Sequence, residues 1–464
     1  MKLTTSKEAN INYLAKIVKL EDHNFRPHPN ADRLQLVHLC GNIISTTIDS
    51  KPGYYVYFPV ECVICPEFLK FHNLYRDANL NANPEESGFF EESGRVKCIK
   101  LRGIASEGFI IPYVKFYRFV VQRNVDPADL LAIYEEAESL VDTSFDTVND
   151  TKIVWKYIIK VITPGVNLNG RTKNANNTAS KIVDNQFRFH IDTPKLQDNI
   201  YKLNPSDIIQ ISIKQHGTSA IFCNLLTKRK LSWKEKLAQK LHIPIIDSEY
   251  TVFCASRKVI KDRVLNLNVT QGYYDCDIWN LALEVVKDYI PKGMTIYAEI
   301  VGFMPTGSRI QGDWDYKCVY DPKVYNYKDM SARAMYDAKL FDIIVYRITT
   351  TNVDGKVHEY SAKQVKDWCV ENGLHPVTEL YYGYAKDLFN LDPAQHWNEN
   401  FIDALREAYL EGDSVLCNNK VPEEGIVIRR EVSNIDVYKL KSNRFLQKET
   451  KELDKGVIDI ESAQ

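Results

Sequence analysis

The segment Asp207-Ile208-Ile209-Gln210-Ile211-Ser212-Ile213-Lys214-Gln215-His216-Gly217-Thr218-Ser219 places one amine directly before a glycine-bearing turn. Ile209, Ile211 and Ile213 alternate with Gln210, Ser212 and Lys214, so a period of two predicts a strand that buries its isoleucines and aims Lys214 from the opposite face. Gly217 permits a turn and the close approach of a ligand. An amine so placed can attack a nucleotide phosphate if it loses its proton. At the ordinary lysine pKa near 10.4 only about one in 2,500 is neutral at pH 7. Lowering that pKa by about three units corresponds to roughly 4 kcal/mol and calls for cations close by. Tyr438-Lys439-Leu440-Lys441 offers two, both on one face of a strand. Together with a divalent cation they would also stabilise charge on the phosphate as its leaving group departs.

Further segments follow in order. Ser256-Arg257-Lys258 supplies an arginine. In Ile296-Tyr297-Ala298-Glu299-Ile300-Val301-Gly302, Glu299 shares a strand face with Tyr297 and Thr295, opposite Ile296, Ala298 and Ile300. Leu340-Phe341-Asp342-Ile343 brings an aromatic ring, and Glu423-Glu424-Gly425-Ile426-Val427-Ile428 brings carboxylates at a strand entry. Taken singly, Glu299 reads as a surface carboxylate, Phe341 as a core aromatic and Lys439 and Lys441 as a solvated pair. As an ordered set they resemble the motifs of the covalent nucleotidyltransferases, the superfamily of DNA ligases, RNA ligases and mRNA capping enzymes, whose first motif reads K-x-D-G or K-x-H-G. A lone match to that motif is weak, and the five that follow it in order carry the resemblance.

The resemblance implies that Lys214 takes AMP from ATP, within the motif formed with Gln215, His216, Gly217 and Thr218. It implies that Thr218 and Arg257 help place the nucleotide and that Glu299 contacts the ribose hydroxyls. Phe341 would sandwich the base, Lys439 and Lys441 would grip the α-phosphate, and Glu424 would help hold Mg²⁺ or Mn²⁺. One position departs from the pattern. Many relatives carry a glutamate before the motif lysine to read the adenine amino group, where this chain has Ile213.

The elements that must position these groups divide the chain unevenly. At 464 residues it is long for one core, and its 44% hydrophobic and 26% charged residues match a globular protein. From Ile11 to Tyr113 the runs Asn12–Val18, Leu34–Leu39, Tyr54–Phe58, Val96–Gly103 and Gly108–Pro112 read as short strands between turns, which suits a small barrel of OB type. Residues 1–120 are therefore expected to form an OB-fold nucleic-acid-binding domain. Residues 121–186, loosening into the Asn-rich Val166–Asn177, read as a connection. Residues 187–445 are expected to form an adenylation domain, ATP-grasp-like, of antiparallel sheets and helices, with helices at Ala362–Glu371 and Trp397–Gly412. Residues 446–464 read as a tail or one short helix. The fold class is α+β.

Ten scattered cysteines suit reduced thiols, and Cys62 and Cys65, in an apolar run without a second pair, read as packing rather than zinc ligands. The net charge of −2 is no bar to a nucleic-acid partner, because Lys228-Arg229-Lys230, Arg257-Lys258 and Arg429-Arg430 concentrate positive charge locally. No stretch reaches the roughly 18 apolar residues of a membrane helix, and the polar start lacks the apolar block of a signal peptide, so a soluble, intracellular and cytoplasmic protein is expected, with no membrane partner.

Layout separates the cousins. DNA ligases and capping enzymes continue past the last motif into an OB domain, whereas about 20 residues follow Lys441, too few for a domain. His216 stands where those enzymes carry aspartate, and K-x-H-G-T is familiar among RNA ligases. His28-Pro29-Asn30-Ala31-Asp32-Arg33-Leu34 and Arg95–Gly108 are similar to the OB domain that precedes the catalytic domain in one RNA ligase family. The resemblance thus implies a monomeric, ATP-dependent RNA ligase that joins 5′-phosphate and RNA 3′-hydroxyl ends in nicked duplexes or broken strands, in RNA repair. A non-catalytic RNA-binding protein and a capping guanylyltransferase-like enzyme are the alternatives.

Overall fold

The architecture comes from a computed structural model, which describes residues 1–39, 41–159, 181–261, 276–317, 327, 330–394, 396–432 and 435–456. The Asn-rich run Val166–Asn177 lies outside the described residues.

The second half is built on two antiparallel sheets. The first holds strands β1 (Ile208–Ile213), β6 (Glu379–Tyr384), β7 (Gly425–Arg430) and β8 (Asp436–Lys441) in the order β6-β1-β7-β8. The second runs from Ile260–Lys261 through β3 (Ser248–Ser256), β2 (Thr218–Lys228), β4 (Met294–Gly302) and β5 (Phe341–Thr351) to Val357–Glu359, with a short parallel strand His375–Pro376 beside β5. Each sheet buries its outer face under helices. Helix α3 (Trp397–Tyr409) sets Trp397, Phe401 and Leu405 against Ile209, Ile211, Ile426 and Ile428 of the first sheet. Helices α1 (Ile278–Val286) and α2 (Ala362–Glu371) cover the second, meeting Phe222, Ile296, Ile300, Phe341, Ile343 and Val345. The inner faces enclose a cavity.

Local chemistry fixes the helix starts. Ser361 caps α2 by accepting from Gln364 N while Gln364 reaches back to the Ser361 amide, satisfying donors that have no partner inside the helix. Ser442 does the same for Phe445 N at the start of α4 (Asn443–Asp454). Lys214 extends β1 by donating its backbone N–H to Gly425 O, so the register of β1 on β7 dictates where its side chain emerges.

The first half is β-rich. Gly53–Phe58 lies between Ala15–Leu20 and Phe109–Pro112, while Leu34–Leu39 pairs with Phe25–Pro27 and with Asn42–Thr47. These ladders stay separate among the described residues rather than closing into one hydrogen-bonded ring. Tyr55 and Tyr57 pack into the core with Val18, Val37 and Ile110, as sheet tyrosines commonly do. Cys62 and Cys65 are buried free thiols in the neighbouring core.

The stretch read as a connection is partly structural. Helix Leu130–Ser139 buries Ile133 and Ala137, Ser144–Phe145 pairs with Ala15–Leu20, and Val154–Lys156 pairs with Cys62–Ile64. These residues complete the N-terminal core, with Phe145 and Val154 fully buried in it. No helix of the described residues is long and apolar enough to cross a membrane.

Helix α4 joins the halves. Thr450 Oγ1 donates to Glu61 Oε1 at 2.8 Å, Arg95 Nη1 stands 3.6 Å from Glu61 Oε2, and Arg95 also pairs with Asp454. Nearby, Arg406 of α3 donates to Glu107 at 3.0 Å.

Candidate active site

The cavity between the two sheets measures about 460 Å³. One wall carries Gln210 and Ser212 of β1, Lys214 directly after it, and Lys439 and Lys441 of β8, and the other carries Ser219, Glu299 and Tyr346. Arg257 also lines it.

Lys214 Nζ lies 2.6 Å from Glu424 Oε1, and Lys441 Nζ lies 3.9 Å from the same oxygen. His216 Nδ1 stands 3.4 Å from Glu424 Oε2. Glu424 is 5% exposed, so its charge is kept only because cations surround it. Burial raises its proton affinity, but Lys214, His216 and Lys441 together outweigh burial and hold the carboxyl far below the usual range. Lys441 is held in turn by Glu449 of α4 at 2.9 Å. Glu299 accepts from Gly217 N at 3.1 Å, which ties the turn after Lys214 to β4. Arg257 pairs with Asp192, and Asp192 accepts from Asn10 Nδ2 at 2.7 Å.

Two glycines set the spacing of this site. A Cβ on Gly217 would overlap the Ile300 carbonyl oxygen of β4, and one on Gly425 would overlap the Leu440 carbonyl oxygen of β8. The close approach that Gly217 allows is therefore that of a neighbouring strand.

Of the sequence candidates, Lys214, Gln215, Arg257, Glu299, Glu424, Lys439 and Lys441 line the cavity. His216 stands behind it, its ring 4.2 Å from Trp314 and 5.0 Å from Phe445 between centroids. Thr218 does not line the cavity. It is 3% exposed, and by strand alternation its neighbour Ser219 takes the inward place. Phe341 is also displaced from expectation. Its ring is 1% exposed and packs in the core under α1 and α2 on the same strand face as Ile343 and Val345. The aromatic group that β5 presents to the cavity is Tyr346, and the parity of 341, 343 and 345, all apolar, was the available signal.

The Arg429-Arg430 pair is committed within the protein. Arg429 bonds to Glu431 at 2.7 Å and Glu359 at 3.4 Å, and Arg430 to Asp207 at 2.6 Å and Asp436 at 3.0 Å.

The cavity also holds polar atoms that lack partners among the described residues. Both amide atoms of Gln215 and Ser219 Oγ are buried without a hydrogen bond. A buried polar group costs about 1–3 kcal/mol when unsatisfied, so these atoms are suited to a polar ligand. With lysines for phosphate oxygens and a buried carboxylate for a cation, the donor set fits a nucleotide and a hard divalent metal.

No protein-family model and no curated protein matches the chain. Among solved structures it is similar to a Naegleria gruberi RNA ligase. A mutant of that enzyme with AMP and Mn superposes with a TM-score of 0.50 at 15% identity, covering 94% of this chain and 98% of that one. The same ligase with pyrophosphate gives 0.50 at 15% identity over 95% and 99%. An apo mutant gives 0.50 at 13% identity over 95% and 99%. At this identity the likeness is one of fold, and the chain carries that mixed, antiparallel-sheet fold along nearly its whole length.

Proposed function

We propose that the chain is an ATP-dependent RNA ligase that seals 5′-phosphate and RNA 3′-hydroxyl ends in RNA repair. The observation that carries this reading is the Lys214–Glu424 contact of 2.6 Å in a cavity also lined by Glu299, Arg257, Lys439 and Lys441. The fold shared with an RNA ligase whose structure includes AMP and Mn supports it.

In the first step Lys214 Nζ attacks the α-phosphorus of ATP, forming a nitrogen–phosphorus bond as pyrophosphate leaves. Lys439 and Lys441 offset the charge that builds on the phosphate oxygens. Glu299 and Arg257 hold the sugar and the nucleotide, and the polar atoms of Gln215 and Ser219 gain partners when it binds. Glu424 would hold Mg²⁺ or Mn²⁺, which supplies Lewis-acid stabilisation of the phosphate. AMP then passes to the RNA 5′-phosphate, and the 3′-hydroxyl displaces it to form the phosphodiester.

The N-terminal half, residues 1–120 as an OB-type module joined through 121–186, whose first part packs into its core, to the adenylation domain 187–445 and the final 446–464, grips RNA and orients its ends. The protein works as a cytoplasmic monomer.

The deciding experiment is incubation with ATP or GTP and Mg²⁺ or Mn²⁺, followed by intact mass and by sealing of nicked and single-stranded 5′-phosphorylated RNA. One AMP per chain is expected, lost in both Lys214→Ala and Lys214→Arg. Labelling by GTP alone would point to a capping-type enzyme, and AMP transfer to Lys214→Ala at the wild-type rate would remove the lysine from its role.

A further inference from the structure

A second cluster of metal-ligating groups lies outside the nucleotide cavity, where the two halves meet. His23 sits in the helical turn Asp22–Asn24 of the N-terminal half, His396 stands directly before α3, and Glu399 lies in the first turn of α3. One ligand atom from each lies within 4.8 Å of the others. His23 Nε2 and Glu399 Oε2 are 3.9 Å apart, and the two imidazole centroids are 4.9 Å apart.

Tetrahedral ligand atoms around one zinc ion stand about 3.3 Å apart, so these three groups are within a small side-chain movement of closing on an ion. Zinc binds imidazole nitrogen at about 2.0–2.1 Å, and two rings bound at a tetrahedral angle have centroids about 5 Å apart. The two rings are tilted by 34° rather than stacked, and the Glu399 carboxylate adds a third donor on the same side as His23 Nε2. The surroundings also have the form of a supporting shell. Glu21 Oε2 stands 3.6 Å from His23 Nδ1, the ring nitrogen that faces away from Glu399, where a slight approach would let it accept from Nδ1 and leave Nε2 for an ion. Tyr201 donates its hydroxyl to Glu399 Oε1 at 3.4 Å, leaving Oε2 toward His23. His396 holds a left-handed backbone, φ 44° and ψ 39°, at the N-cap of α3, a conformation uncommon for residues other than glycine.

We propose that His23, His396 and Glu399 bind one zinc-class divalent cation that ties the Asp22–Asn24 turn to α3. Two imidazoles and one carboxylate select a transition metal over Mg²⁺, whose preference is for oxygen ligands, so this site is chemically separate from the one at Glu424. Three protein ligands leave a coordination position for water. The ion would pin the N-terminal half to the helix behind the first sheet, independently of the ligase reading.

The test uses the full-length, tag-free protein, stripped with a chelator and titrated with Zn²⁺ against a chromophoric chelator, and with Co²⁺ followed by visible absorption. One equivalent of Zn²⁺ is expected to bind, with a four- or five-coordinate Co²⁺ spectrum, and to raise the melting temperature. His23→Ala should weaken that binding at least about a hundredfold, and Glu21→Gln about tenfold. His396→Asn keeps a residue that tolerates the left-handed backbone and should also lose the site. His375→Ala, on a histidine paired with Asp342 elsewhere, should leave it intact. Unchanged Zn²⁺ affinity in both His23→Ala and His396→Asn would overturn the proposal, as would a Co²⁺ spectrum of the hydrated ion only.

Discussion

Lys214 Nζ and Glu424 Oε1 form a 2.6 Å ion pair inside the cavity, and Lys214 is the foremost of the charges that keep this buried carboxyl ionised. A divalent cation held by Glu424, as the proposed function requires, would compete with Lys214 for the same carboxylate. In the proposed reaction Glu424 would therefore release Lys214 once metal and nucleotide have arrived.

Glu424→Gln should lower covalent labelling by at least about a hundredfold, because it removes both the metal carboxylate and the group that orients Lys214. The same variant has a stability signature. The folded carboxyl is held below its ordinary value, so the stability it confers is present above about pH 4.3 and is lost as pH falls further. Acid melting curves of Glu424→Gln should lack that component, and identical curves for the two proteins would remove the ion pair as a source of stability.

Glu61 behaves in the opposite sense. Burial raises its carboxyl to about 7 against the opposing pull of Arg95. A carboxyl that binds its proton more tightly when folded favours folding in the protonated form, so stability should fall as pH rises from about 4.5 and level off above about 7. Glu61→Gln should gain in melting temperature relative to the wild type between pH 5 and pH 8. A constant difference across that range would show that Arg95 keeps Glu61 charged throughout.

Phe341→Ala should cost about 3–5 kcal/mol of stability through a cavity in the core, and Phe341→Leu much less. Labelling by the folded Phe341→Leu protein should stay within about threefold of wild type, since the ring does not line the cavity. A large rise in the ATP requirement with stability retained would return the ring to the nucleotide site.

RNA binding by the full chain should fall steeply between low and moderate salt, because phosphate contacts release counterions. Lys214 labelling should change far less across the same series, as its charges act inside a cavity where screening is weak. Parallel losses of both would place the salt-sensitive step at ATP rather than RNA.

Much of the site was legible because strands declare their faces. Ile209, Ile211 and Ile213 of β1 are buried as the alternation requires, and the helix spans Ala362–Glu371 as its pattern indicates. Asn42–Thr47 was not read as a strand, since Asn, Ser and Thr dilute its apolar signal, although its pairing with Leu34–Leu39 is regular. Phe341 was placed by motif order, which says nothing of parity, and parity puts its ring in the core. The contacts of α4 are between residues hundreds of positions apart, such as Glu61 and Thr450, and no local pattern announces them.

The two glycines beside the reactive groups change what a mutational scan of this protein would report. Alanine at 217 or 425 deletes no functional group, yet it pushes β4 from the turn after Lys214 or β8 from the entry to β7. Every nucleophile, cation and carboxylate would survive while their separations did not. Such a scan would score two residues without side chains among the most damaging, and distances between strands, rather than an inventory of reactive atoms, would be the quantity it had measured.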